Sequence, residues 1–190
     1  MRRLRLLLLA LVLLAQWAIC GGMIGSRQLT LAEGHAYRFR TAPVDPYDPF
    51  QGRYVQLELD ENPVAKPAEL VLDRGQAVYV GVVARADDGF ARFDRLSLTP
   101  PATGDYIRAT VQYASQDSVR LELPFDRYYA NEKLAPAIEQ AYRAHSRRAK
   151  RDASIVVKIR GGQAVLEELY IGGLPVREFL RQQAGSAALN

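Results

Sequence analysis

The residue types that could do chemistry are densest in one stretch, Pro43-Val44-Asp45-Pro46-Tyr47-Asp48-Pro49-Phe50-Gln51-Gly52-Arg53-Tyr54. Asp45 and Asp48 lie three positions apart on a loop stiffened by three prolines. Two such carboxylates could ligate a hard cation such as Ca²⁺ or act as a general acid/base pair. A Ca²⁺ shell needs more oxygens than these two groups supply, and no third or fourth carboxylate lies nearby. Turn chemistry is the stronger reading: each aspartate caps local N–H groups while the following proline fixes φ. Gly52 then supplies a positive φ or room for close approach before the next strand. Arg53 can pair with Asp45 or Asp48, and an exposed pair of that kind contributes only about 0–1 kcal/mol, so its value lies in orientation. Asp45, Asp48, Gly52, Arg53 and Tyr54 are therefore expected to form a binding edge, with Tyr47 and Phe50 beside them, and no residue is assigned a catalytic role.

Elsewhere the chemical signals are sparse. His35 and His145 have no HxxxH or HExxH partner, which argues against zinc hydrolysis. Neither a GxSxG nucleophile elbow, a P-loop nor a dinucleotide GxGxxG occurs. Lys66, Lys133, Lys150 and Lys158 carry no distinguishing context, although sequence alone leaves a Ser–Lys dyad open. Cys20 is the single cysteine, which rules out an intramolecular disulfide and a cysteine-based structural zinc. No metal and no cofactor is expected.

The formal charge of +4 invites a polyanion partner, but Arg2, Arg3 and Arg5 carry most of it. Without them 22 basic residues face 21 acidic ones, a net of +1, so the folded part is nearly neutral. Nucleic acid is not expected as a partner. The local basic run Arg143, Arg147, Arg148, Lys150 and Arg151 reads as a solvated helix end set favourably against the helix dipole, with anionic headgroups or an acidic partner surface as the alternative.

The elements that must position these residues begin with an apolar run, Leu6 to Ser26, free of charge and preceded by the three arginines. On the order of 20 such residues span a hydrocarbon core. The reading is an uncleaved signal-anchor over residues 1–26, in the bilayer through residues 6–26. The arginines would stay in the cytoplasm and the domain from about Arg27 would be exported. This makes a single-pass protein of the inner (plasma) membrane with a periplasmic domain in the cell envelope. A cleaved signal peptide, or lipidation at Cys20, are the alternatives.

Residues 27–181 read as an exported, mainly β domain. Short strands are expected at Gln28–Leu31, His35–Thr41, Tyr54–Leu59, Glu69–Leu72, Gln76–Ala84, Phe90–Leu98, Tyr106–Tyr113 and Val119–Leu123. Val55, Leu57 and Leu59 share one face of theirs, and Asp88-Gly89 marks a hairpin. Leu134, Ala137, Ile138, Ala141, Tyr142 and His145 then recur at three and four residues, giving an amphipathic helix over about 135–148. A second hairpin turns at Gly161-Gly162 within about 154–171, Val176–Arg181 is a short helix or extension, and 182–190 is a disordered tail. The fold class is α+β: an antiparallel meander, barrel- or sandwich-like, with one amphipathic helix behind an N-terminal transmembrane helix.

Pro43-Val44-Asp45-Pro46, Asp48-Pro49-Phe50 and the following Gly52-Arg53-Tyr54-Val55-Gln56-Leu57-Glu58-Leu59 resemble the membrane-anchored proteins named for their GDYXXLXY motif. The aromatic run Phe125–Tyr129, the acidic helix start at Glu132 and a final hairpin ending Leu169-Tyr170-Ile171-Gly172-Gly173 fit as well, so the resemblance covers nearly the whole chain. Gly52, Tyr54 and Leu57 match the motif, whereas Arg53 replaces its aspartate and Leu59 its last tyrosine. The resemblance implies an anchor and a β-rich exported domain but no activity. The expectation is a non-catalytic interaction or assembly module for an integral membrane partner. The alternative is an envelope hydrolase or cation- and ligand-binding protein using the Asp45/Asp48 loop.

Overall fold

A computed structural model describes residues 2–42, 54–146 and 151–187 of the chain. The first element is one unbroken helix, α1 (Arg2–Glu33). It absorbs Gln28–Leu31, which were expected to be a strand. Four residues are too few for their period to separate a strand from the last turn of a helix. Here the turn is fixed by local bonds: the Thr30 hydroxyl donates to the Ser26 carbonyl at 3.0 Å, and the Gly34 N–H closes the end on the Thr30 carbonyl at 2.9 Å. The segment Leu8–Glu33 is long and apolar enough to cross a membrane. Most of its large apolar side chains stay exposed, Trp17 at 77 %, and the other described residues give these no cover.

The chain then runs through β1 (His35–Ala42), β2 (Tyr54–Gln56), β3 (Glu58–Leu59), β4 (Val64–Ala65), β5 (Ala77–Ala84), β6 (Ala91–Ser97), β7 (Asp105–Ala114), β8 (Ser118–Glu122), β9 (Arg127–Tyr129), α2 (Ala135–Ser146), β10 (Ala153–Arg160), β11 (Gln163–Ile171), β12 (Leu174–Pro175) and α3 (Val176–Ala187). One five-stranded sheet has the order β12-β11-β10-β1-β3, a second β4-β8-β7-β5-β6, and β2 pairs with β9. The strand pairs are antiparallel and together make a nearly closed, barrel-like β structure, an α+β fold behind one N-terminal helix. A parallel bridge from Ile107 to Gly162 joins the two large sheets.

The expected face of Tyr54–Leu59 holds, with Val55, Leu57 and Leu59 all in the core, but the run is two strands. It changes partner midway: β2 pairs with β9, and β3 pairs with β1. Glu69–Leu72 is not a strand, while β4 and β9 are strands of two and three residues too short to show a period. The amphipathic helix begins at Ala135 as expected and is described to Ser146. Arg147, Arg148 and Lys150 of the basic run lie outside the described residues, and Arg143 pairs with Glu139 at 2.6 Å. α3 continues to Ala187, which corrects a disordered tail beginning at 182. Val176 anchors its first turn in the core, and the Arg-Gln-Gln-Ala sequence that follows consists of good helix formers.

Phe39 sits at the centre of the core, its ring 5.4 Å from that of Phe93 and 6.1 Å from that of Phe125. Tyr142 of α2 covers the point where β1 hands over to β3. Its hydroxyl donates to the Ala42 carbonyl at 3.0 Å and accepts from the Glu58 N–H at 3.3 Å. Burial lifts its pKa to about 12. Burial also lifts Tyr37 and Tyr128 to about 12, helped by the carboxylates of Asp105 and Glu168 respectively. These values lie above the 10.0 of a free tyrosine, so the folded state keeps protons that the unfolded chain gives up. Their stabilising contribution is complete below pH of about 10 and is lost as pH rises through about 12. Alkaline unfolding should therefore coincide with late tyrosinate absorbance, and Tyr142→Phe should remove one late-titrating group. A tyrosinate step for Tyr142 at the free-tyrosine pH would contradict this.

Candidate functional site

Of the residues expected to form the binding edge, Asp45, Asp48, Gly52 and Arg53 lie outside the described residues, and Tyr54 is the first residue after them to be placed. It opens β2 opposite Tyr129, with Gln56 opposite Arg127 on the same face and Val55 opposite Tyr128 on the other. The alternation of a strand decides which side chains show: Val55 and Tyr128 go inward, whereas Tyr129 remains 68 % exposed. The Tyr54 and Tyr129 rings meet at 5.8 Å, and the Arg127 guanidinium lies 5.0 Å from the Tyr54 ring centre. A hydrogen bond to Tyr129 and the neighbouring Asp126 carboxylate raise the Arg127 pKa further, so the ridge keeps its cation. Sequence reasoning found Tyr54 but missed Arg127 and Tyr129 as its partners. The aromatic run at 125–129 was the available signal; the pairing across 70-odd intervening residues left none.

Concavities flank this ridge. On one side a groove of about 400 Å³ runs between Gln56–Leu59 and the outer edge of β8. The Asn62 carboxamide stands in for a neighbouring strand there, donating to the Leu121 carbonyl at 2.8 Å and accepting from its N–H at 3.0 Å. Glu58 and Arg120 form an ion pair across the groove at 2.8 Å. On the other side a cleft of about 620 Å³ lies between β9, β11 and the end of α1, with Arg27, Arg108, Arg127 and Arg177 in its walls. In that cleft the Tyr128 hydroxyl donates to Glu168 at 2.9 Å.

α1 is bonded to the domain at this cleft. The Ser26 hydroxyl donates to the Gln163 side-chain oxygen at 2.6 Å, the Thr30 hydroxyl lies 3.1 Å from the same oxygen and shares its proton between it and the Ser26 carbonyl, and Glu33 pairs with Arg160 at 3.2 Å. Gly34 makes the joint possible: a Cβ there would lie 2.4 Å from the Thr30 carbonyl and 3.1 Å from the Ile159 backbone. The hairpin tip that receives the helix is held in turn by β7, through the Arg108 N–H donating to the Gly162 carbonyl at 3.0 Å.

The histidines serve as ties between elements. His35 Nδ1 lies 2.6 Å from Asp105, which also accepts from the Tyr37 hydroxyl at 2.8 Å. His145 Nδ1 lies 2.8 Å from Asp152, with the Phe179 ring edge-on at 5.0 Å. Among the described residues no group of three His, Cys, Asp or Glu side chains is placed to hold a metal ion. The described surface at this ridge presents aromatic faces, guanidinium groups and open concavities.

The family model described as GDYXXLXY protein matches residues 16–169, from the middle of α1 to near the end of β11. No curated protein and no solved structure matches the chain.

Proposed function

The chain belongs to the GDYXXLXY family, and from that premise we propose that it is a non-catalytic, membrane-anchored envelope protein whose β-rich domain is an interaction or assembly module for an integral membrane partner. In this reading α1 stays uncleaved in the inner membrane, Arg2, Arg3 and Arg5 remain in the cytoplasm, and the domain is periplasmic. The observation that carries it is the Tyr54–Arg127–Tyr129 ridge, with Arg127 and Tyr129 exposed and Tyr54 half-buried beneath them, on a domain bonded to α1 with no linker between them. Tyrosine and arginine are the residue types that dominate binding energy at interfaces, and a ridge tied to the anchor keeps a fixed height above the bilayer. A neighbouring membrane protein is the partner such a ridge can reach.

Crosslinking in native membranes tests this. The full chain should crosslink to a membrane protein, and replacing Arg127 and Tyr129 with alanine should weaken capture about tenfold or more, since truncation at such positions typically costs ~2 kcal/mol or above. Recovery as a free monomer alone, or capture indifferent to both substitutions, would overturn the reading. A reporter fused after Asn190 should be active only outside the cytoplasm.

A further inference from the structure

We propose that the cleft between the end of α1, β9 and β11 holds the phosphate headgroup of an anionic phospholipid, in the leaflet where α1 ends. This rests on the reading of α1 as a membrane span. The depth follows from length: Leu6–Ser26 at the helical rise covers about 30 Å, the thickness of a hydrocarbon core. Arg27 is the first charged residue after that run, so it stands at headgroup level. Ser26 and Thr30, on either side of it in sequence, are bonded to Gln163 in the cleft wall. The cleft therefore opens at the same level.

Its chemistry suits a phosphate. Four arginines face two carboxylates, Glu167 and Glu168, and Glu168 already accepts from the Tyr128 hydroxyl and the Leu169 N–H. Arg27 and Arg108 are exposed, and neither forms an ion pair with an acidic side chain among the described residues. Guanidinium forks match phosphate oxygens in two-point geometry. An acidic protein segment could meet the same cations, but it would have to descend to the bilayer surface, where the headgroups already are.

The test is native mass spectrometry of the full chain in mild detergent, titrated with phosphatidylglycerol, phosphatidylcholine, glycerol phosphate or a polyglutamate peptide. Phosphatidylglycerol should be retained roughly tenfold more tightly than phosphatidylcholine. Arg27→Gln with Arg108→Gln should abolish that difference at an unchanged melting temperature, and Arg92→Gln on β6 should leave it intact. Equal retention of the two lipids, loss of preference in the Arg92→Gln control, or binding of glycerol phosphate or polyglutamate as tight as that of the lipid would each overturn the proposal. Failure of the membrane-span premise has a separate signature: alkaline carbonate would release the chain from membranes, whatever the lipid titration gives.

Discussion

Phe39→Ala should lower the unfolding free energy by about 3–5 kcal/mol, the cost of removing a large aromatic side chain from a closed core. Phe39 is fully buried on β1, and its ring touches Phe93 of β6 and Phe125 in the segment leading to β9. It joins both large sheets to the strand that carries the ridge, so the space it vacates cannot be filled by a shift of one element alone. Domains of this size have a total stability of about 5–15 kcal/mol, so the change removes a large part of it. In a chain this long each kcal/mol moves the midpoint by about 2–4 °C, which gives a thermal shift of roughly 6–20 °C. A loss below about 1 kcal/mol would mean that the Phe39–Phe93–Phe125 cluster is not the centre of the core.

Gly162→Ala and Gly161→Ala should separate two effects at the hairpin that receives α1. Both glycines have positive φ, 83° and 55°, where an L side chain costs about 1–2 kcal/mol. Around Gly161 there is open space, so backbone strain is its whole cost. A Cβ at Gly162 would lie 2.5 Å from the Tyr106 ring, and displacing a packed ring adds about 1–3 kcal/mol. Gly162→Ala should thus destabilise by about 2–5 kcal/mol against about 1–2 for its neighbour. It should also loosen the helix, because the same tip carries Arg108–Gly162 on one side and Gln163 with Ser26 and Thr30 on the other. Denaturant melts give the energies, and hydrogen exchange over residues 26–33 reports the loosening. Equal costs for the two substitutions would remove Tyr106 as the reason for a glycine at 162.

The resemblance read from Pro43 to Leu59 agrees with the family match. Asp45, Asp48, Gly52 and Arg53 lie outside the described residues, and their expected role as a binding edge rests on their sequence alone. Tyr54 shows what the stretch leads into. Its own strand was legible, because alternation is a local property. The two residues that turn it into a ridge were not, because Arg127 and Tyr129 reach it through a pairing with no local cause.

By itself the sequence determined the features whose physics acts over a few residues: the apolar run of α1, the inward face of Val55, Leu57 and Leu59, the Asp88-Gly89 and Gly161-Gly162 turns, and the periodic face of the helix from Ala135. Burial pattern and glycine backbone freedom are fixed residue by residue, so they survive in a one-dimensional reading. Only the tertiary structure decided where those pieces meet: the change of partner between β2 and β3, the two-sheet contact at Gly162, and the bond from Ser26 to Gln163, 137 positions away. A hydrogen bond between distant residues depends on how the whole chain closes, and a hydroxyl at position 26 looks the same whether it faces water or an amide. That closure sets the domain directly on α1 and places Arg27 beside a cleft in the domain.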